Sequence, residues 1–264
     1  MFDVKLGIQI YAVRDDFESD PEGTLKKIKE MGFDGVELTT ASLTGAGWTF
    51  NSEGAKKCRD AFEKAELECY GLSTWYINFL PENIEKMINF NKAINSKSYT
   101  ISYMPEEYIA DLNAVDKTID YMCDLTKMLS AENLITGFHN HEHDFFKLSN
   151  GKTFFEYVFD NTPEEFILLF DTGNAKATGV EPIDILKKYP TRVPLLHMKG
   201  YSQKDGNLAH MADDDINWHE FIKYAVENCN TEVFEVEFGQ RGDYIPLEKA
   251  KTSLEFIKSI LKKI

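Results

Sequence analysis

Three histidines, His139, His141 and His143, fall within the stretch ITGFHNHEHDFF and make up half of the six in the chain. In an extended chain alternate side chains share a face, so the three imidazoles start on one side and Asn140 and Glu142 on the other. The apolar lead-in reads as a strand entering a packed core. Imidazoles gathered at such a strand's end suit metal binding or proton transfer; the plainer alternative is a polar strand end running into solvent. Other apolar runs stop in the same way. Asp171 follows FILLF, His197 follows VPLL, and Glu235 and Glu237 sit in FEVEF. An unpaired buried carboxylate is expensive, so such groups are normally paired or metal-bound. Any one of these residues alone is explained by a polar strand cap, but on four successive strands they point to a shared site. Two imidazoles (one of them His139 or His141) and two carboxylates suit one Mn, Co, Fe or Zn ion; Mg, which prefers oxygen and water, suits them less. Glu235 and Glu237 face the same side, so one is a ligand while the other supports it or lies a layer deeper.

Further residues join as candidates for holding a substrate. Gln9, Tyr11, Glu37 and Trp75 lie at early strand ends, where amide and aromatic groups suit a sugar, although Tyr11 and Trp75 are equally read as packing. Asn140 and Asn174 flank the histidines and the aspartate, and Arg241 in GQRGD suits a phosphate or carboxylate without any Gly-rich cradle. Lys199 shares a face with His197 and is placed to neutralise a developing oxyanion, against the alternative of a solvated lysine. His210, His219 and the run Asp213–Asp215 read as surface.

Strands and helices alternate strictly along the chain. Strands are expected at Lys5–Tyr11, Gly35–Leu38, Glu68–Trp75, Tyr99–Met104, the histidine segment, Phe166–Thr172, Val193–Gly200 and Glu232–Phe238. Helices are expected to start near Pro21, Ser52, Pro81, Asp111, Thr153, Pro182, Asn217 and Pro246. Eight such units, with no low-complexity linker and no G-x-G-x-x-G after the first strand, favour a single (β/α)8 barrel domain over 1–264, rather than an open doubly wound sheet. Active sites of such barrels gather at the strand C-terminal ends, where the candidate residues fall.

Composition narrows the classes. The 264 residues are 43% hydrophobic and 28% charged, ordinary for a globular chain with a sizeable core. A net charge of −15 argues against sequence-independent nucleic-acid binding. Cys58, Cys69, Cys123 and Cys229 form no C-x-x-C pair and read as thiols of a reducing compartment. No run approaches the roughly 18 apolar residues of a membrane span, and the first residues lack a leader pattern, so a cytoplasmic location without membrane partners is expected. Oligomeric state is left open.

The ordered set LGIQIYAVRDD, GFDGVEL, FHNHEHDF, DTGN, VPLLHMKGY, INW and FEVEF resembles the sugar phosphate isomerase/epimerase family of xylose isomerase-like TIM barrels, over nearly the whole chain. The resemblance implies one divalent metal held by His139, Asp171, His197 and Glu237, with His141 left to move protons beside Glu237 and Lys199. It implies a sugar, sugar phosphate or cyclitol substrate, isomerised or epimerised through a metal-chelated enediolate. Two departures stand out. The ketose epimerases carry a glutamate where this chain has His139, and many relatives read D-T-G-H where it has Asp171-Thr172-Gly173-Asn174. The two-glutamate proton shuttle is therefore incomplete, which brings forward dehydratase or lyase chemistry on a keto-sugar or inosose. A non-catalytic sugar-binding or partner subunit is the reading from another class.

Overall fold

Strands that are apolar on both faces need cover on both, and consecutive strand–helix units supply it by right-handed crossovers. In the computed structural model, which describes residues 3–239 and 244–264, eight parallel strands close into a barrel in chain order. They are β1 (Lys5–Gln9), β2 (Gly35–Thr39), β3 (Glu68–Trp75), β4 (Ser98–Tyr103), β5 (Ile135–His139), β6 (Phe166–Asp171), β7 (Leu195–Lys199) and β8 (Val233–Glu237). The helices begin where local chemistry starts them. Asp20 accepts the Gly23 N–H ahead of helix Pro21–Met31, and Asp111 accepts the Ala114 N–H ahead of helix Leu112–Ala131. Among the described residues no helix is long and apolar enough to cross a membrane. All four cysteines are unpaired, with Cys58 and Cys69 buried and Cys123 and Cys229 half-buried.

Strand alternation sorts the barrel wall into two sides. Leu196, Met198, Phe234 and Val236 pack in the large core shared with the helices. Ile167, Leu169, Leu195 and Val233 form a separate small cluster with Tyr70, plugging the base of the barrel. The Tyr70 ring fits because its neighbours lack side chains: a Cβ on Gly7 would lie 2.9 Å, and one on Gly35 2.6 Å, from ring carbons. Above this plug the alternating positions turn charged: Glu37, His197 and Glu235, then Asp171, Lys199 and Glu237, all buried.

Several strand ends fall elsewhere than expected. β1 stops at Gln9, because Gln9 Oε1 accepts the Tyr11 N–H at 2.5 Å and turns the chain into a 3₁₀ helix, Ile10–Val13. β2 continues past Leu38 to Thr39, so Glu37 lies mid-strand. The helix expected from Pro81 begins at Ile84. β5 ends at His139, and His143 belongs to a 3₁₀ turn, Glu142–Phe145, so the three histidines do not line one face of a strand.

Candidate metal centre

Asp171, His197 and Glu237 end or nearly end β6, β7 and β8, and His139 ends β5. Adjacent-strand register staggers them around the barrel: Asp171 pairs with His197, whereas His139 pairs with Leu169 and Glu237 with Lys199. One ligand atom from each of His139, Asp171, His197 and Glu237 lies within 4.8 Å of the others. His139 Nδ1, Asp171 Oδ2, His197 Nδ1 and Glu237 Oε2 are buried and lack a hydrogen-bond partner. His197 Nδ1 and Glu237 Oε2 stand 2.5 Å apart, without the directional geometry of a hydrogen bond. Four orphaned polar atoms converging in a buried site are what a cation would satisfy, and two imidazoles with two carboxylates fit a divalent transition metal.

Side chains prolong the ladder where the strands run out. Asn140 Oδ1 accepts the Asp171 N–H at 2.9 Å, and Asn140 Nδ2 donates to the Asp171 carbonyl at 3.1 Å. Thr172 Oγ1 accepts the Lys199 N–H at 3.0 Å and lies 2.8 Å from the Lys199 carbonyl. Gly173 permits this approach, since a Cβ there would come 2.9 Å from the Lys199 carbonyl oxygen. Asp171 Oδ1 caps the following helix by accepting the Asn174 N–H at 2.7 Å, leaving Oδ2 as its free acceptor.

Burial and neighbouring charges set the protonation of these groups. Burial, reinforced by the charge of His197, pulls His139 down to about 4, so its ring is neutral. Burial pushes Asp171 up to about 7, with Lys199 opposing. Burial also resists the charging of His197 and Glu237. The Glu37 and Glu237 carboxylates nevertheless hold His197 well above its usual value, and Lys199 and His197 hold Glu237 well below. Lys199 Nζ donates to Glu237 Oε1 at 3.1 Å and lies 3.5 Å from Asp171 Oδ2. Beneath, burial and the Glu37 charge push Glu235 up to about 8.

Above the four residues opens a cleft of about 350 Å³ lined by Gln9, Tyr11, Trp75, His139, His141, Lys199 and Glu237. His141 touches the His139 ring, with centroids 4.7 Å apart, and burial together with His139 holds it well below its ordinary value. Three residues expected to meet a substrate are placed elsewhere. Glu37 is buried against His197, in the middle of a strand that runs two residues further. Asn140 is engaged with Asp171, and Asn174 Nδ2 donates to the Asn140 carbonyl at 3.0 Å. Arg241 lies outside the described residues. His210 and His219 are exposed, whereas Asp214 of the acidic run is half-buried and accepts the Trp218 indole N–H at 2.9 Å. Sequence reasoning missed Thr39, Thr40, Ser73, Thr74, Ser102 and Tyr103, which line the opposite wall. Apart from the aromatic ring they carry only hydroxyls, which strands also use as ordinary filler.

Comparison with known proteins agrees with this architecture. The chain is 28% identical over 229 residues to an inosose dehydratase from Bacillus cereus (strain AH820), covering 76% of this chain and 72% of that one. It shares its fold with a sugar phosphate isomerase/epimerase from Parabacteroides distasonis ATCC 8503, at a TM-score of 0.78 and 17% identity over 96% of this chain and 97% of that one. It likewise shares its fold with the probable 3-DHS dehydratase involved in petrobactin synthesis from Bacillus anthracis, at a TM-score of 0.74 and 11% identity over 97% and 99% of the two chains. The xylose isomerase-like TIM barrel model matches residues 25–260, and the chain belongs to that family.

Proposed function

We propose that this chain is a metal-dependent enzyme that removes a proton next to the carbonyl of a polyhydroxylated keto-sugar or cyclitol and completes the reaction by β-elimination. A divalent metal held by His139, Asp171, His197 and Glu237 would supply Lewis-acid polarisation of that carbonyl. His141 carries the reading. Among the described residues lining the cleft, it is the neutral base that is neither one of those four ligands nor held in an ion pair. It takes the proton from the carbon beside the carbonyl, and the electron pair moves onto the carbonyl oxygen. The Lys199 ammonium, fixed between Asp171 and Glu237, offsets that negative charge. The pair then returns to form a carbon–carbon double bond as the leaving group departs from the β-carbon, protonated by the His141 imidazolium. Thr40, Thr74 and Ser102 offer hydroxyls to the substrate, and Gln9, Tyr11 and Trp75 shape its rim.

Isomerisation is the second reading, favoured by the same histidine: a single base can return the proton to the neighbouring carbon on the same face. Epimerisation by two opposed bases finds less support, since the other acid–base groups nearby are ligands or the paired Lys199. The inosose dehydratase relative favours elimination. The test is a panel of keto-sugars and inososes incubated with the Mn²⁺-loaded protein in D2O and followed by NMR. An unsaturated product is expected. Exchange with an isomer as product selects the second reading, and bound metal without exchange or product leaves a sugar-binding protein.

A further inference from the structure

We propose that Glu37 is the positioning residue of the metal centre, fixing His197 in the one tautomer that can ligate. The inference rests on the four-residue site proposed above. A metal-binding imidazole presents one nitrogen's lone pair, so its other nitrogen carries a proton that needs an acceptor when buried. His197 Nδ1 is the nitrogen on the side of Glu237, 2.5 Å from Oε2, and the ring lies tilted by 51° against His139, with centroids 4.7 Å apart. The opposite nitrogen, Nε2, lies 2.5 Å from Glu37 Oε2. Both residues are about 1% exposed, so water does not substitute for the carboxylate. The other nearby carboxylate stands farther off: Glu235 Oε2 is an ion-pair partner 3.5 Å from the same Nε2, and both Glu235 oxygens lack hydrogen-bond partners.

The placement of Glu37 makes the restraint rigid. It projects from β2, whereas His197 is on β7, so the contact crosses the barrel lumen between residues 160 apart in sequence. Glu37 is itself held in two ladders, level with Gln9 of β1 and Gly71 of β3. A proton on Nε2 is thereby favoured and one on Nδ1 disfavoured, because only Nε2 faces an acceptor outside the ligand set. The carboxylate also raises the electron density of the ring it accepts from, strengthening the Nδ1 donor.

The experiment is Mn²⁺ titration calorimetry on the full chain, comparing wild type, Glu37→Gln and Glu235→Gln, with melting temperatures of the metal-free proteins. Glu37→Gln is nearly isosteric but offers either tautomer a partner, so it should weaken Mn²⁺ binding about 10–100-fold. Its metal-free melting temperature should stay near wild type, and Glu235→Gln should lose less affinity. Zinc-loaded wild type, followed by ¹H–¹⁵N NMR of the imidazoles, should show the His197 proton on Nε2, a readout that needs no variant to fold. Unchanged affinity in Glu37→Gln, an equal loss in Glu235→Gln, or a proton on Nδ1 overturns the role of Glu37. Wild type that binds no Mn²⁺ overturns both this role and the metal site beneath it.

Discussion

Asn140 grips Asp171 by both its backbone N–H and its carbonyl, at 2.9 and 3.1 Å. The side-chain amide stands in for a strand neighbour one residue beyond the end of β5. Asn140→Ala leaves the buried Asp171 N–H without its partner, a loss of about 1–3 kcal/mol, and removes one of the two donors to its helix-capping carbonyl. We expect a lower melting temperature and weaker Mn²⁺ binding, although Asn140 is outside the four proposed ligands. Thermal melting and calorimetry would show neither change if the grip is incidental.

His197 and His141 should separate ligand from base. His197→Ala removes one of the four proposed ligands and should abolish metal binding and turnover together. His141→Ala should keep the metal and lower kcat about 10²–10⁴-fold, the range for losing a general base. Metal content by elemental analysis beside kcat decides the matter. If His141→Ala empties the site while His139→Ala does not, the two roles are reversed.

The metal-free protein should lose stability between about pH 6.5 and 8. Asp171, raised from 3.8 to about 7, and Glu235, raised from 4.5 to about 8, bind more protons folded than unfolded through this window. His197, held above its ordinary value by the carboxylates around it, acts in the same direction. Stability conferred by such groups is present at low pH and is lost as pH rises through their folded values. His139, lowered from 6.5 to about 4, works oppositely, but only below pH 6.5. Melting in chelator should therefore fall from pH 6.5 to 8, and Mn²⁺ at a hundred times its Kd should add about 2.7 kcal/mol. A flat profile in chelator would falsify the charge assignment.

Trp75 is 55% exposed at the cleft rim and packs on Tyr103 with ring centroids 4.9 Å apart. Trp75→Ala should raise KM about 3–10-fold with kcat nearly unchanged, matching the roughly 1 kcal/mol of an aromatic contact. Steady-state kinetics checks it, and a fall in kcat alone would place Trp75 in the chemistry instead.

The charged half of the site was legible because an acid or imidazole at the end of an apolar strand is too costly to bury as filler. Asp171 after FILLF and His197 after VPLL announce themselves in this way. Depth was less legible. Glu37 follows Gly-Val just as a strand-end residue would, and only the continuation of β2 to Thr39 sinks it below the cleft. Asn140 was readable as polar but not as a ladder surrogate, because its partner is backbone and leaves no mark on composition. The eight-unit alternation gave the barrel. Helix starts at Asp20 and Asp111 followed from capping chemistry, whereas the 3₁₀ turn after Gln9 depends on a side chain accepting from a residue two positions on.

The four candidate ligands come from β5 to β8, and most of the hydroxyl wall from β2 to β4. The barrel thus divides its labour by sequence half. Replacing Thr40 or Ser102 would re-cut the mould for a substrate without touching any of the four candidate ligands.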